Sequence, residues 1–280
     1  MTQLKTIITS HKHDKPILVD TLYNNNYISK PIIIFCHGYK GFKDWGAWHL
    51  MGKSFVSSNF CFIKFNFSHN GGTIDQPIDF PDLEAFGQNN YTRELSDLNS
   101  VLNWIETEFK NDLNFNTSNI TLMGHSRGGG IATIKADEDP RVKHLITLAG
   151  VSDYKKKFPK DEALKTWQKQ GVMYVLNGRT KQQMPHYYQF YKDFIENEER
   201  LTIKRAVTKL DIPHLIIHGD ADTTVLPQEA YNLHAWSPKS ILKILEGADH
   251  VFNTKHPWNS DHLSEELEKV VAICLEFLKE

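Results

Sequence analysis

Six short runs along the chain, 31–36, 61–67, 120–123, 142–148, 214–218 and 241–245, are dominated by Ile, Leu, Val and Phe. Each is too short for a stable helix, and several lack the apolar/polar alternation of a half-exposed strand, which marks them as strands buried on both faces. Between them lie stretches with helical spacing. In 91–109, Leu95, Leu98, Val101, Leu102 and Ile105 recur at three and four residues; near the C-terminus Leu263, Leu267, Val270, Val271, Cys274 and Leu278 form one stripe. Two β-like stretches at 6–9 and 17–22, joined by a polar turn, predict an N-terminal hairpin. Strand and helix alternating in this way predict an α/β fold, a doubly wound and mostly parallel sheet with right-handed crossovers.

One connection breaks that rhythm. From Val151 to Leu210 the chain is far longer than an ordinary crossover loop. The expected organisation is therefore a core of 1–150 and 211–280 with an inserted lid or cap at 151–210. Within the insert, Val172–Leu176 followed by Asn177-Gly178 reads as a hairpin at 171–179.

The 280 residues carry a net charge of -2, which leaves no cationic surplus for nucleic acid or an anionic membrane surface. Lys155, Lys156 and Lys157 read as a solvated face. Three cysteines, Cys36, Cys61 and Cys274, suggest no disulfide framework. Neither a secretory leader nor a membrane span is evident, so a cytoplasmic location is the expectation. His11, His13 and Asp14 lack a fourth metal ligand and read as a solvated turn; no metal site is expected.

The chemistry concentrates at Gly124-His125-Ser126-Arg127-Gly128, a G-x-S-x-G pattern between an apolar run and a glycine-rich helix start. This is the layout of a nucleophile elbow, which lifts a serine hydroxyl above the sheet edge. Serine is a weak nucleophile until an imidazole takes its proton and a carboxylate orients that imidazole. Downstream, Asp222 and His250 each follow an expected strand, so all three side chains reach one sheet edge. Asp220 is the rival acid, although its place just after Gly219 suits a turn role; His256 is the runner-up base. The oxyanion needs two N–H donors. The Arg127 amide, at its helix N-terminus, is one candidate, and the Tyr39 amide, in the loop after the 31–36 strand, is the other.

The segments Phe35-Cys36-His37-Gly38-Tyr39-Lys40-Gly41, Phe65-Asn66-Phe67-Ser68-His69-Asn70-Gly71, Gly124-His125-Ser126-Arg127-Gly128-Gly129, His218-Gly219-Asp220-Ala221-Asp222 and Gly247-Ala248-Asp249-His250 resemble serine α/β-hydrolases, particularly esterases of the cinnamoyl-esterase and dienelactone-hydrolase-like kind. The resemblance implies a lid after the sixth strand, ester hydrolysis without a cofactor through an acyl-enzyme, a small-molecule ester as substrate, and the dimerisation frequent in such enzymes. Two departures stand out. Dienelactone hydrolases proper carry a cysteine nucleophile, and many cinnamoyl esterases have Gln in place of Arg127. Aromatic residues of the insert, Trp167, Tyr187 and Tyr191, with Trp45 beyond the oxyanion loop, are candidates to line a slot for an aromatic or short acyl group; packing of the insert onto the sheet is their competing use. A prolyl-oligopeptidase-like peptidase and a ligand-binding homologue without catalysis are the alternative readings.

Overall fold

The computed structural model describes residues 1–279. Its strands are β1 (Thr2–Thr9), β2 (Pro16–Tyr23), β3 (Lys30–Cys36), β4 (Cys61–Phe65), β5 (Phe115–His125), β6 (Val142–Leu148), β7 (Val172–Leu176), β8 (Gln183–Tyr187), β9 (His214–Gly219) and β10 (Ser240–Leu245). Its helices are α1 (Trp48–Ser57), α2 (Leu83–Gln88), α3 (Tyr91–Phe109), α4 (Arg127–Glu138), α5 (Asp161–Gln170), α6 (Gln189–Glu196), α7 (Glu198–Leu201), α8 (Ile203–Lys209), α9 (Gln228–Trp236) and α10 (Glu265–Phe277). Eight strands form one sheet in the order β1-β2-β4-β3-β5-β6-β9-β10. Only β2 runs against its neighbours; from β4 to β10 all pairs are parallel.

The apolar runs are explained by the two cores they feed. Ile32, Ile34 and Cys36 join Leu122 and Leu145 against α3 and α4 on one face, whereas Ile33 and Phe35 join Met123, Ile146 and Ile217 against α1 and α10 on the other. Alternate side chains of one strand point to opposite faces, so a strand covered on both sides has no solvent-facing position to spend on polar residues. Each fully buried Ile or Leu contributes about 2 kcal/mol relative to exposure.

The strand order places a switch point at the carboxyl ends of β3 and β5. The connection from β3 through α1 to β4 lies on one side, and that from β5 through α4 to β6 lies on the other, which opens a crevice between them. Gly128 sets how closely these strands' exits pack: a Cβ there would stand 2.4 Å from the Cys36 carbonyl oxygen and 2.5 Å from that of His37. Backbone cannot yield as a side chain would. Gly128→Ala is therefore expected to destabilise the fold by about 3 kcal/mol, the upper end of overpacking, measured as a lower midpoint in urea unfolding.

The insertion between β6 and β9 holds α5, the β7–β8 hairpin, α6, α7 and α8, and α8 packs on α4 and α9 of the core. The hairpin differs from the sequence expectation. Its turn is the six-residue segment 177–182, where Asn177 N–H donates to the Gln182 carbonyl at 2.9 Å and Lys181 N–H donates back to that of Asn177 at 2.8 Å. The returning strand β8 contains Pro185, which an edge strand of a two-stranded sheet tolerates. The turn bearing His11 and His13 is solvated as expected, with His11, Lys12 and Asp14 exposed, and is tied to the core at two points. His11 Nδ1 lies 2.7 Å from Ser100 Oγ, and His13 Nε2 lies 3.2 Å from Asp97 Oδ1, so the turn docks on α3. All three cysteines are buried and free.

Candidate active site

Ser126 sits between β5 and α4 with φ 56° and ψ -120°, a conformation rarely adopted by a residue with a side chain. The strained turn is held from both directions: Ser126 N–H donates to the Leu148 carbonyl at 2.9 Å, and Gly129 N–H donates to the Ser126 carbonyl at 3.0 Å. Its Oγ lies 3.0 Å from His250 Nε2, and His250 Nδ1 lies 2.8 Å from Asp222 Oδ2. Three side chains from loops after β5, β9 and β10 thus form a continuous serine–imidazole–carboxylate chain.

The loops carrying Asp222 and His250 approach closely because of Gly219, where a Cβ would fall 2.0 Å from the Ala248 carbonyl oxygen. Asp222 is buried, which opposes its ionisation. Hydrogen bonds from His218, His250 and the Val225 amide nevertheless hold its carboxyl well below the usual carboxylate range. Oδ1 accepts from the Thr224 and Val225 amides at 2.8 and 2.9 Å, and His218 Nε2 stands 3.2 Å from Oδ2. An ionised, immobile carboxylate fixes the imidazole tautomer with Nδ1–H toward Asp222, leaving Nε2 to accept the serine proton. His125 supports the same loop from below, its Nε2–H donating to the His250 carbonyl at 2.8 Å. Sequence reasoning missed both His218 and His125; a histidine four residues before the acid and one next to the serine were the available signals.

The rival residues have other partners. Asp220 Oδ1 accepts from the Gly247 amide at 2.7 Å, bracing the β9 and β10 loops. His256 Nδ1 accepts from the Gly46 amide at 2.9 Å, and its ring packs against Trp45 and Phe42. A second serine–histidine contact, His214 Nδ1 to Ser237 Oγ at 3.2 Å, starts from the opposite, amino-terminal end of β9. There His214 is fully buried and its Nε2 meets Thr147 Oγ1 at 3.0 Å rather than a carboxylate. That contact has the surroundings of a core hydrogen bond.

The loop after β3 runs beside the serine: a Cβ on Gly38 would lie 3.0 Å from Ser126 Cβ. His37 anchors it, with Nδ1–H donating to the Gly38 carbonyl at 2.9 Å and Nε2 accepting from the Phe67 amide at 3.3 Å. Burial lowers this imidazole to about 4, so it stays neutral. Tyr39 follows, and its hydroxyl reaches His186 Nε2 of the insert at 2.7 Å. The loop after β3 is thereby tied to the hairpin of the insert.

A cavity of about 300 Å³ opens above Ser126. Tyr91, Tyr154, Phe158, Met173, Val175 and Phe190 form its apolar walls, and Tyr39, Arg127 and His186 bring polar atoms. The four aromatic residues singled out from sequence are not among its lining. Trp45 packs with Trp48 and His256. Trp167 is buried behind the lining, its indole N–H donating to the His186 carbonyl at 2.8 Å. Tyr187 points outward to Glu84, and Tyr191 packs against Phe158 and Trp167. Trp167 and Tyr191 thus pack within the insert, while Phe158 and Phe190 face the cavity.

A protein-family model described as BD-FAE matches residues 20–237, and that span contains the elbow and the acid. The chain belongs to the BD-FAE family. Among solved structures, this BD-FAE member resembles a putative hydrolase from Agrobacterium vitis S4 (TM-score 0.75, 17% identity, 99% of each chain covered). It also resembles Est1E from Butyrivibrio proteoclasticus, in the structure described as having ferulic acid bound (TM-score 0.72, 17% identity, 98% of each chain). These likenesses show the α/β-hydrolase fold over nearly the whole chain. A curated relative, an uncharacterized 31.7 kDa protein in the traX-finO intergenic region of Escherichia coli, is 27% identical over 153 residues. That match takes in 52% of this chain and spans about half of the relative, 46% of its length.

Proposed function

We propose that this BD-FAE family member is a serine hydrolase that cleaves carboxylic esters through an acyl-enzyme. The observation that carries the reading is the Ser126–His250–Asp222 hydrogen-bonded chain at the switch point of the sheet. His250 Nε2 takes the Ser126 hydroxyl proton as Oγ attacks the ester carbonyl carbon; the carbonyl π pair moves onto oxygen, forming a tetrahedral oxyanion. The Tyr39 and Arg127 backbone amides donate to that oxyanion. Collapse breaks the bond to the alkoxy oxygen, which leaves with the proton from His250. Water then enters, gives a proton to His250, and its oxygen displaces Ser126 Oγ, which recovers the proton as the acid is released.

The insert 151–210 serves as the lid, and the cavity beneath it takes the acyl group. Its rings suit an aromatic acyl chain, and the related Est1E is described with ferulic acid bound. Short acyl esters fit the same volume.

Two measurements test the proposal. A fluorophosphonate probe should label one serine per chain, identified by mass spectrometry as Ser126. A series of p-nitrophenyl esters of graded acyl size should be hydrolysed with kcat/KM far above that for aminoacyl-naphthylamides. Labelling elsewhere, or faster amide than ester cleavage, would remove the reading.

A further inference from the structure

The reaction above uses Arg127 only through its backbone amide, yet its side chain is buried beside the nucleophile. Arg127 Nε–H donates to Glu94 Oε2 at 3.0 Å, and Nη2 stands 2.9 Å from Oε1 at an angle too poor for a hydrogen bond. Among the described residues Nη1 has no hydrogen-bond partner either. The guanidinium stacks over Tyr91 at 4.4 Å and Phe190 at 5.0 Å, two walls of the cavity. Burying such a pair costs several kcal/mol per ion before its attraction is counted, and apolar side chains of similar volume would serve stability equally well. The pair therefore calls for a use beyond packing.

Unspent N–H donors in a largely apolar cavity discriminate among ligands. An acyl group without an acceptor displaces water and leaves those donors unpaired, whereas one with a suitably placed oxygen satisfies them. Charge decides which oxygen. Glu94 already balances the guanidinium, so a carboxylate on the acyl group at Arg127 would set a second anion beside Glu94 in a buried site, away from the exposed Lys157 that also lines the cavity; a neutral oxygen sets none. The Nε–H bond to Glu94 and the stacking on Tyr91 and Phe190 together hold the guanidinium plane.

We infer that Arg127, held by Glu94, is a specificity-determining residue that donates a hydrogen bond to a neutral oxygen acceptor, an ether, hydroxyl or ketone, on the acyl part of the substrate. This rests on the ester-hydrolase reading for its catalytic readout, but the binding it asserts can be measured separately.

The test compares p-nitrophenyl esters of 3-(methoxyphenyl)propanoic and 3-(ethylphenyl)propanoic acids, substituted at ring positions 3 and 4, which exchange an ether oxygen for a methylene at nearly constant size. At the better position the native enzyme should favour the methoxy ester about tenfold in kcat/KM, through KM rather than kcat. The double variant Arg127→Met/Glu94→Gln, which leaves no lone buried charge, should bring the two esters within about twofold of each other. Arg127→Lys keeps the ion pair while losing the planar fork, and should give an intermediate ratio even if the double variant fails to fold. The same ester pair is titrated by calorimetry onto Ser126→Ala protein, where the methoxy ester should bind about tenfold tighter. A methoxy-to-ethyl ratio that is the same in native and Arg127 variants, or equal binding to Ser126→Ala at both positions, overturns the inference. Native protein that hydrolyses none of these esters refutes the ester-hydrolase reading instead, and the Ser126→Ala titration still decides whether Arg127 selects the oxygen.

Discussion

Ser126→Ala should lower kcat toward p-nitrophenyl esters by a factor on the order of 10⁵ while leaving the melting temperature and the circular dichroism spectrum close to those of the native protein. The side chain is small and buried, and the elbow is maintained by backbone bonds to Leu148 and Gly129 that alanine retains, so the loss is chemical rather than structural. His250→Ala should cost as much, because a serine without a base and a base without a serine fail at the same step. Combining the two should cost little more than either alone. That non-additivity is the sharper measurement: residues contributing independently would multiply their losses, whereas a relay broken once is already broken. Asp222→Asn should lose about 10⁴-fold, since an amide in that position stabilises neither the needed tautomer nor the imidazolium. Activity within tenfold of native in Ser126→Ala would remove the proposed mechanism.

The parts of this site that were legible in sequence are those governed by local rules. G-x-S-x-G reports a turn whose tightness demands glycine, and Gly128 meets the Cys36 carbonyl as that demand requires. Asp222 and His250 could be found because each stands in the loop that follows a strand, and the carboxyl ends of parallel strands share one edge. The helix 91–109 was readable from its spacing alone. What stayed hidden depends on side chains meeting across long separations. Nothing in 151–210 tells which aromatic turns toward the serine; Phe190 faces the cavity while Tyr191, its neighbour, packs inside the lid, because α6 presents different sides to the two. The partner of Arg127 lies on α3, a helix whose apolar stripe gave its inner face no reason to carry Glu94. The β7–β8 turn was misjudged because Asn-Gly favours a two-residue turn in isolation, whereas here Asn177 caps a longer loop through its side chain, accepting from the Arg179 amide at 3.1 Å.

The second large effect expected is loss of stability in mild acid. Burial lowers His37 and His186 to about 4 and His125 and His214 to about 3, so all four are neutral in the folded protein near neutral pH. Unfolding returns each to an ordinary imidazole, near 6.5, that takes up a proton below that value. The unfolded chain then binds more protons than the folded one, and stability must fall with pH. The contribution is whole above pH 6.5 and is lost progressively as pH drops toward 4 and 3. At pH 5 the loss is roughly 2 kcal/mol for each group, and several together approach the whole stability of an ordinary domain. Carboxyls modify this without reversing it. Asp222 and Asp44 are held below the usual carboxylate range, so their contributions are lost only in stronger acid; Glu94 and Asp193, pushed up by burial, work in the opposite sense, while His69, a further imidazole lowered by burial to about 3, adds to the loss. Urea unfolding at pH 7.5, 6.0 and 5.0 should give midpoints that fall steeply across the series. His214→Gln, which can still bond Thr147 and Ser237 but cannot titrate, should flatten the fall while leaving the active site untouched. A midpoint independent of pH over this range would mean that these rings are charged or solvated in the fold, contrary to the packing described.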